Sequence, residues 1–241
     1  MHFAGKVWRL LVGIKDALVM LFMLLFFALL FAVLTARPSP AQVREGALLL
    51  NLDGFIVEEA APIDPFAALI SGSVPTSEYQ ARDLVRALDA AAADERIAAV
   101  VLDLDSFLGA GQVHLAEVGE AMDRVRSADK PVLTYATAYA DDGVFLAAHA
   151  SEVWVEPLGG AVVAGPGGNR LYYKGLLDKL KVNARVYKVG TYKSAVEPYI
   201  ETGMSDPARE NAQALYGALW EEWQANVKKA RPAADLQMVV N

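Results

Sequence analysis

No cysteine occurs in the 241 residues of this chain, and there are only three histidines. The first absence excludes a thiol nucleophile, a disulfide framework and a Cys-ligated zinc site, without naming a compartment. The second leaves little for an imidazole-based metal site. His2 precedes the longest apolar run, while His114 and His149 fall in helical patterns without HExxH-type spacing and read as surface or helix-end residues. Basic side chains are scarce as well, 22 against 29 acidic, for a net charge of −7. Lys6, Arg9, Lys15 and Asp16 are the charges up to Leu34, so the remainder holds 19 basic against 28 acidic residues. With no basic surplus to neutralise phosphates, nucleic acid is not an expected partner. No G-x-S-x-G elbow marks a nucleophile, and there is no short internal repeat. The length accommodates a membrane segment plus one domain of roughly 200 residues, enough for a full hydrophobic core.

Between Ala17 and Leu34 lie eighteen residues without a charge, ALVMLFMLLFFALLFAVL. At about 1.5 Å per residue, a helix of that length nearly crosses the hydrocarbon core. The basic residues before it favour a cytoplasmic N-terminus and export of the chain after Thr35. A cleaved signal peptide shares the charged start and the apolar run. Against cleavage, the run exceeds a typical signal core and Leu34-Thr35-Ala36 is a poor small-x-small site. The expected organisation is a cytoplasmic segment 1–16, a transmembrane helix 17–36, a linker 37–45 containing Arg37-Pro38-Ser39-Pro40, and a domain over 46–241.

In that domain, apolar strand-like runs alternate with helical patterns. Strands are expected at Ala47–Leu52, Ile97–Leu104, Pro131–Thr137, Val153–Val155 and Ala184–Val189. Helices are expected at Ser77–Ala93, Val113–Ser127, Asp142–Ala150 and Leu171–Leu180. The alternation predicts an α/β fold with a mainly parallel sheet covered by helices. A last helix begins at Ser205 or Asp206, suited by Pro207, with Leu215, Leu219, Trp223 and Val227 on one packing face. The segment from Pro62 to Pro75 reads as a loop or lid.

Several constellations carry chemistry of uneven weight. Ser127-Ala128-Asp129-Lys130 matches the S-x-x-K pattern of serine acyl-transfer enzymes, but Pro131 follows at once and ends the helix that would align the pair. Val100 to Ser106 is an apolar strand ending in Asp103 and Asp105, similar to a magnesium-dependent haloacid-dehalogenase phosphatase, with Lys130 and Asp141-Asp142 as later motifs. Phe107 stands where that pattern expects Thr or Val. Gly165-Pro166-Gly167-Gly168-Asn169 reads either as an anion or oxyanion cradle opening a helix or as a tight turn. The most informative stretch runs from Tyr187 to Tyr199. A strand ends at Val189, Gly190 permits a turn, and Lys193 follows among Tyr192, Ala195 and Val196, to be read either as a lysine in largely apolar surroundings or as an ordinary exposed lysine, which composition alone favours. A buried lysine can act as a base, because burial disfavours its charged form. Bringing its pKa from about 10.4 to near neutrality costs roughly 4 kcal/mol at about 1.36 kcal/mol per unit.

At GTYKSAVEPY, preceded by LYYKGLLDKLKV and followed by MSDPARE, the sequence closely resembles the signal peptide peptidase A (protease IV) family. The resemblance extends upstream through LDLDSFLGAG, KPVLTYAT and FLAAHASEVWVEP, so it covers most of the chain from about Gly46 to Arg231. It is closest to the long form, in which two similar halves each adopt a ClpP/crotonase-like fold. The resemblance implies a Ser/Lys dyad whose lysine comes from the first half, and Lys193 matches it as general base and proton donor. It implies no cofactor and no metal.

In the family the nucleophilic serine lies in a small-Ser-Gly-Gly segment of the second half. The equivalent place here reads Tyr139-Ala140-Asp141-Asp142-Gly143-Val144-Phe145, so no nucleophile is expected in this chain. Ser194, beside Lys193, is a poor substitute, since neighbouring side chains diverge. Gln237 to Asn241 breaks off in mid-pattern, so the chain is expected to be the first half of a longer protease; the alternative is a half-length scaffold. The resemblance further implies cleaved signal peptides or other apolar peptides as substrates, the bilayer, the missing C-terminal half and further copies of the chain as partners, and a place in the inner membrane with the domain on the periplasmic side.

Overall fold

The computed structural model describes residues 2–35, 45–62 and 76–234. The expected linker up to residue 44, the 63–75 portion of the expected lid and the 237–241 end lie outside the described residues. The chain divides into two compact units, Met1–Arg44 and Glu45–Asn241.

The first unit contains one helix, α1 (His2–Thr35). It extends the expected span to its N-terminal side, since Lys6, Arg9 and Lys15 are helix-compatible and nothing between them breaks the turn. Its 31-residue portion Gly5–Thr35 is long and apolar enough to cross a membrane by length and composition, and none of it is buried. Asp16 is the only acid there, and Lys15 sits 2.8 Å from it at the border of the uncharged run.

The second unit is α/β, as its alternating pattern predicts. β1 (Gly46–Asn51), β4 (Ile97–Asp103), β6 (Val132–Tyr139) and β7 (Glu152–Ala161) form a parallel sheet in the order β1-β4-β6-β7. A smaller parallel sheet, β3-β2-β5, joins β2 (Gly54–Val57), β3 (Ser77–Gln80) and β5 (Gly109–Ala110). These three short strands are not expected from sequence. Ser77–Gln80 has the composition of a helix start, and its pairing with Gly54–Val57 takes it out of the helix that follows. α2 is therefore Ala81–Ala93, followed in order by α3 (Gln112–Ser127) and α4 (Asp141–Ala148).

Period-two burial along the strands turns Val100 and Leu102 of β4, and Val132, Thr134 and Ala136 of β6, into the core. Leu84, Leu88 and Ala91 of α2, and Leu115, Val118, Met122 and Val125 of α3, meet them at helical spacing. Two helix ends are closed by long cations. Lys130 donates to the α2 carbonyls of Ala91 (2.7 Å) and Asp94 (2.6 Å). Arg231 donates to the carbonyl oxygens of Ala150 (2.8 Å), Ala147 and Ala148 at the end of α4.

The later part of the unit is less regular. β7 runs well beyond the expected Val153–Val155, and α5 (Lys174–Lys179) is shorter than expected. The expected strand at Ala184–Val189 does not form. Among the described residues no strand pairs with it, and Tyr187 and Val189 stand 93% and 85% exposed. The one-turn helix α6 (Glu197–Ile200) leads to α7 (Asp206–Ala230), capped by Ser205 and opened by Pro207 as expected. Only half of its predicted packing face is covered: Trp223 and Val227 are buried, whereas Leu215 and Leu219 are exposed.

Of the two readings given to His149, surface or helix end, the structure bears out the helix end. It follows α4 directly but is only 1% exposed, and its Nδ1 lies 2.9 Å from Asp123 Oδ2. Its ring fills the space over Gly119, where a Cβ would sit 2.6 Å from ring carbon Cδ2. Gly119→Ala is therefore expected to destabilise the domain by about 1–3 kcal/mol through overpacking. Denaturant unfolding of the variant measures it, and an unchanged midpoint refutes the packing account.

Candidate active site

The aspartates at the C-terminal edge of the main sheet are occupied in holding loops. Asp105 Oδ1 accepts from the Thr137 N–H at 2.7 Å, and Asp103 Oδ1 from the Asp105 N–H at 3.1 Å. Lys130 is turned away to α2, and Ser127 Oγ donates to the Asp123 carbonyl of its own helix at 2.8 Å. The S-x-x-K pair is thus not assembled. The phosphatase constellation loses its lysine in the same way, and among the described residues no group of three or more His, Asp or Glu stands close enough to hold a metal ion. His149 and Asp123 form the two rear members of a triad-like pair. The outward nitrogen, Nε2, has no hydrogen-bond partner and is shut in against Gly119, where no nucleophile reaches it.

The strand-to-helix turn after β6 is present, with Ala140 extended and α4 starting at Asp141. Both carboxylates at this helix start face backbone donors. Asp142 Oδ2 accepts from the Ala110 N–H (3.0 Å), and Asp141 accepts from Ala164 N–H (3.2 Å) and Gly165 N–H (2.7 Å). Burial pushes the Asp142 carboxyl above the usual carboxylate range, against the lowering effect of the Ala110 bond. The glycine stretch at 165–169 bends at Pro166, with Gly165 at φ +73°, and the Gly165 N–H is already taken by the chain's own Asp141. Clefts of about 280 and 230 Å³ flank the strand-to-helix turn, one lined by Gln112, Gly165, Pro166 and Trp220, the other by Asp105, Phe107 and Leu108. A separate apolar groove of about 290 Å³ lies between α4 and α7, and its one cation, Arg231, is committed to carbonyl oxygens.

Lys193 sits apart from these clefts, on the turn between Gly190 and α6. Gly190 adopts φ +109°, a conformation that favours glycine, and the aliphatic stem of Lys193 lies over it. The Lys193 N–H faces the Gly190 carbonyl at 3.4 Å. Among the described residues no apolar surroundings close over Lys193, and the exposed reading holds. Lys193, Tyr192 and Ala195 are exposed, and among the described residues the segment before them has no strand to pair with. Ser194 is half-buried, and its carbonyl accepts from the Glu197 N–H at 3.1 Å.

Sequence reasoning overlooked Glu197. It is 1% exposed and receives two bonds from Ser205, from Oγ at 2.6 Å and from the backbone N–H at 3.3 Å, with Lys188 Nζ 3.7 Å away. The Ser205 bonds hold its carboxyl below the usual range, outweighing the opposing desolvation, and Lys188 adds to the lowering. A carboxylate in a segment rich in tyrosine and lysine, eight residues before a helix-capping serine, was the available signal. A depressed carboxyl pKa contributes stability that is present above the unfolded value of about 4.3 and lost as pH falls through the folded value. Glu197→Gln is accordingly expected to be less stable than the parent at pH 7, with the gap closing as the solution is acidified below pH about 4. Thermal unfolding at stepped pH checks this, and a gap that stays constant with pH refutes it.

Comparison with known proteins places this geometry. Residues 124–240 match the model of peptidase family S49. The chain is 35% identical over 232 residues to Protease 4 of Haemophilus influenzae, covering 93% of this chain and 38% of that protein. It is also 35% identical over 241 residues to Protease 4 of Salmonella typhi, covering 96% of this chain and 39% of that protein. The chain thus spans well under half the length of these relatives. The crystal structure of an enoyl-CoA hydratase/isomerase family protein from Silicibacter pomeroyi covers 66% of this chain and 81% of its own at 15% identity. Its TM-score of 0.28 is too loose an overlap to define the fold. By sequence, the chain belongs to peptidase family S49, the signal peptide peptidase A (protease IV) family.

Proposed function

We propose that this chain is the first half of a membrane-anchored serine endopeptidase with a Ser/Lys dyad, to which it contributes Lys193 as the general base. The observation that carries this reading is the turn Gly190–Glu197 in a member of a peptidase family: it presents Lys193 at the surface with its stem packed over Gly190 and its flanks hydrogen-bonded. The lysine takes the proton of a serine hydroxyl as that oxygen attacks the peptide carbonyl, returns it to the leaving amine, and then activates the deacylating water. The serine belongs to a part of the protein outside these 241 residues. In support, the strand-to-helix turn at Ala140–Asp142 carries two carboxylates in place of a nucleophile, and both are bonded to loop backbone.

In the same reading the chain runs from a cytoplasmic segment (1–16) through the anchor (17–36) and linker (37–45) into a periplasmic domain (46–241). The substrates are cleaved signal peptides and other apolar peptides at the membrane. The C-terminal half and further copies of the chain complete the assembly. The exposed side chains of Trp154, Leu158, Leu171, Tyr187 and Val189 support a covering partner, since apolar area of that extent is seldom left to water. The competing reading is a membrane-tethered scaffold of the same fold without catalysis. It is favoured by the commitment of Asp141 and Asp142 to structural bonds.

Two measurements separate these readings. Purified residues 46–241 are expected to hydrolyse no peptide, and serine-protease activity from them overturns the division of the dyad. In the complete protein, Lys193→Ala is expected to lower turnover by about 10²–10⁴-fold, the usual worth of a positioned base. Normal turnover there defeats the base assignment and favours the scaffold.

A further inference from the structure

We propose that Glu197 is the positioning residue for the Lys193 turn, holding it against the N-terminus of α7 through Ser205. This inference rests on the reading of Lys193 as the base. An exposed lysine on a turn gains catalytic value only where the backbone beneath it is fixed, because an error of about 1 Å in placing a reacting group costs on the order of a hundredfold in rate. The sheet gives no such support here. Residues 182–189, which lead into the turn, pair with no strand among the described residues.

The turn is internally continuous. Lys193 N–H faces Gly190 O at 3.4 Å, Glu197 N–H donates to Ser194 O at 3.1 Å, and Tyr199 N–H donates to Val196 O at 3.1 Å. Glu197 thus moves with Lys193. Its carboxylate, shut off from water, accepts from Ser205 Oγ (2.6 Å) and Ser205 N–H (3.3 Å). The same Ser205 oxygen accepts from the Ala208 N–H at 3.3 Å and caps α7. α7 is in turn fixed in the core by buried Trp223 and Val227. A path of hydrogen bonds and packing therefore leads from the core to the base through buried Glu197; the other side-chain links to the turn, Tyr192 Oη donating to Glu210 Oε2 of α7 at 3.2 Å and Arg170 Nη2 donating to Ser194 O at 3.4 Å, are exposed to solvent. Two contacts brace Glu197 from the other side. Tyr173 N–H donates to Pro198 O at 2.6 Å, and the rings of Tyr173 and Tyr199 stack with centroids 5.9 Å apart. Neither contains a side chain that reaches back to the residues of the turn itself.

The test uses Glu197→Ala, Ser205→Ala, their double variant and Lys193→Ala in the complete protein, with cleavage of an apolar peptide as readout. Each of the first two is expected to lower kcat at least tenfold while KM stays within twofold. The double variant is expected to fall no further than Glu197→Ala alone, since both remove one linkage. In the 241-residue chain in detergent, the amides of Tyr192–Val196 are expected to exchange at least tenfold faster in both single variants, with β4 unchanged. Parental turnover in Glu197→Ala, beside an inactive Lys193→Ala, sinks the positioning role and leaves the base standing. A loss confined to Glu197→Ala, with Ser205→Ala like the parent, also sinks it. Parental turnover in Lys193→Ala defeats the base reading itself. If Glu197→Ala fails to fold, unchanged exchange in Ser205→Ala still overturns the proposal.

Discussion

The structure depends on how the C-terminal edge of a parallel sheet is closed. Every strand of such a sheet ends on the same side, so the loops leaving β4, β6 and β7 converge and bring unpaired backbone N–H groups with them. Aspartates meet that demand. Asp105 takes the N–H of Thr137, Asp142 that of Ala110, and Asp141 those of Ala164 and Gly165. Asp141 and Asp142 also stand in the first turn of α4, where the helix dipole favours negative charge. The edge that holds catalytic groups in many α/β proteins is, in this chain, used to hold itself together. Vacating it for a nucleophile requires other acceptors for three backbone amides, that of Ala110 in β5 and those of Ala164 and Gly165 after β7.

Order is graded along the domain. From β1 to α4 most predicted apolar positions are covered, with Leu49 and Val113 as exceptions, and helix ends are closed by Lys130 and Arg231. From β7 onward apolar side chains are turned to solvent, including Trp154, Leu158, Leu171 and Tyr187. The change follows the secondary structure: beyond β7 no strand pairs with the segment 182–189 among the described residues, and only α7 returns to the core, through Trp223 and Val227. The region carrying Lys193 therefore relies on individual polar links, with Glu197 and Ser205 foremost among them.

This gradient also decides what was legible in the sequence. β1, β4, β6, α3, α4 and α7 announce themselves by apolar runs, helical spacing or a capping serine followed by proline, all local signals that packing then reinforces. The small sheet was illegible because its strands are two to four residues long and gain their stability from pairing: Ser77–Gln80 reads as helix until Gly54–Val57 lies beside it. The strand expected at Ala184–Val189 failed for the opposite reason, a sound local pattern without a partner among the described residues. Lys193 was found through its motif, which composition alone would have passed over. Glu197 was missed because its burial is set by Ser205 eight residues on, and the tyrosine- and lysine-rich segment around it is only an indirect signal of that contact. His149 was legible as a helix-end residue but its burial was not, because that depends on the missing side chain of Gly119, thirty residues earlier.

The exposure of Lys193 bears on when the proposed dyad can work. A lysine serves as a base near neutral pH only where its charged form is disfavoured, at a cost of roughly 4 kcal/mol, and burial among apolar groups is the ordinary source of that cost. Among the described residues nothing folds over Lys193 to supply it. In the proposed reading the surface that brings the serine must also bring the burial, so the nucleophile and the activation of its base arrive in one docking event. The division then has a physical consequence for a membrane enzyme. Before assembly Lys193 is a solvated side chain without a partner nucleophile, and proteolytic chemistry is confined to the completed particle. A rigid turn suits that arrangement better than a mobile one, since ordering the lysine at the moment of docking would draw on the same binding energy that must desolvate it.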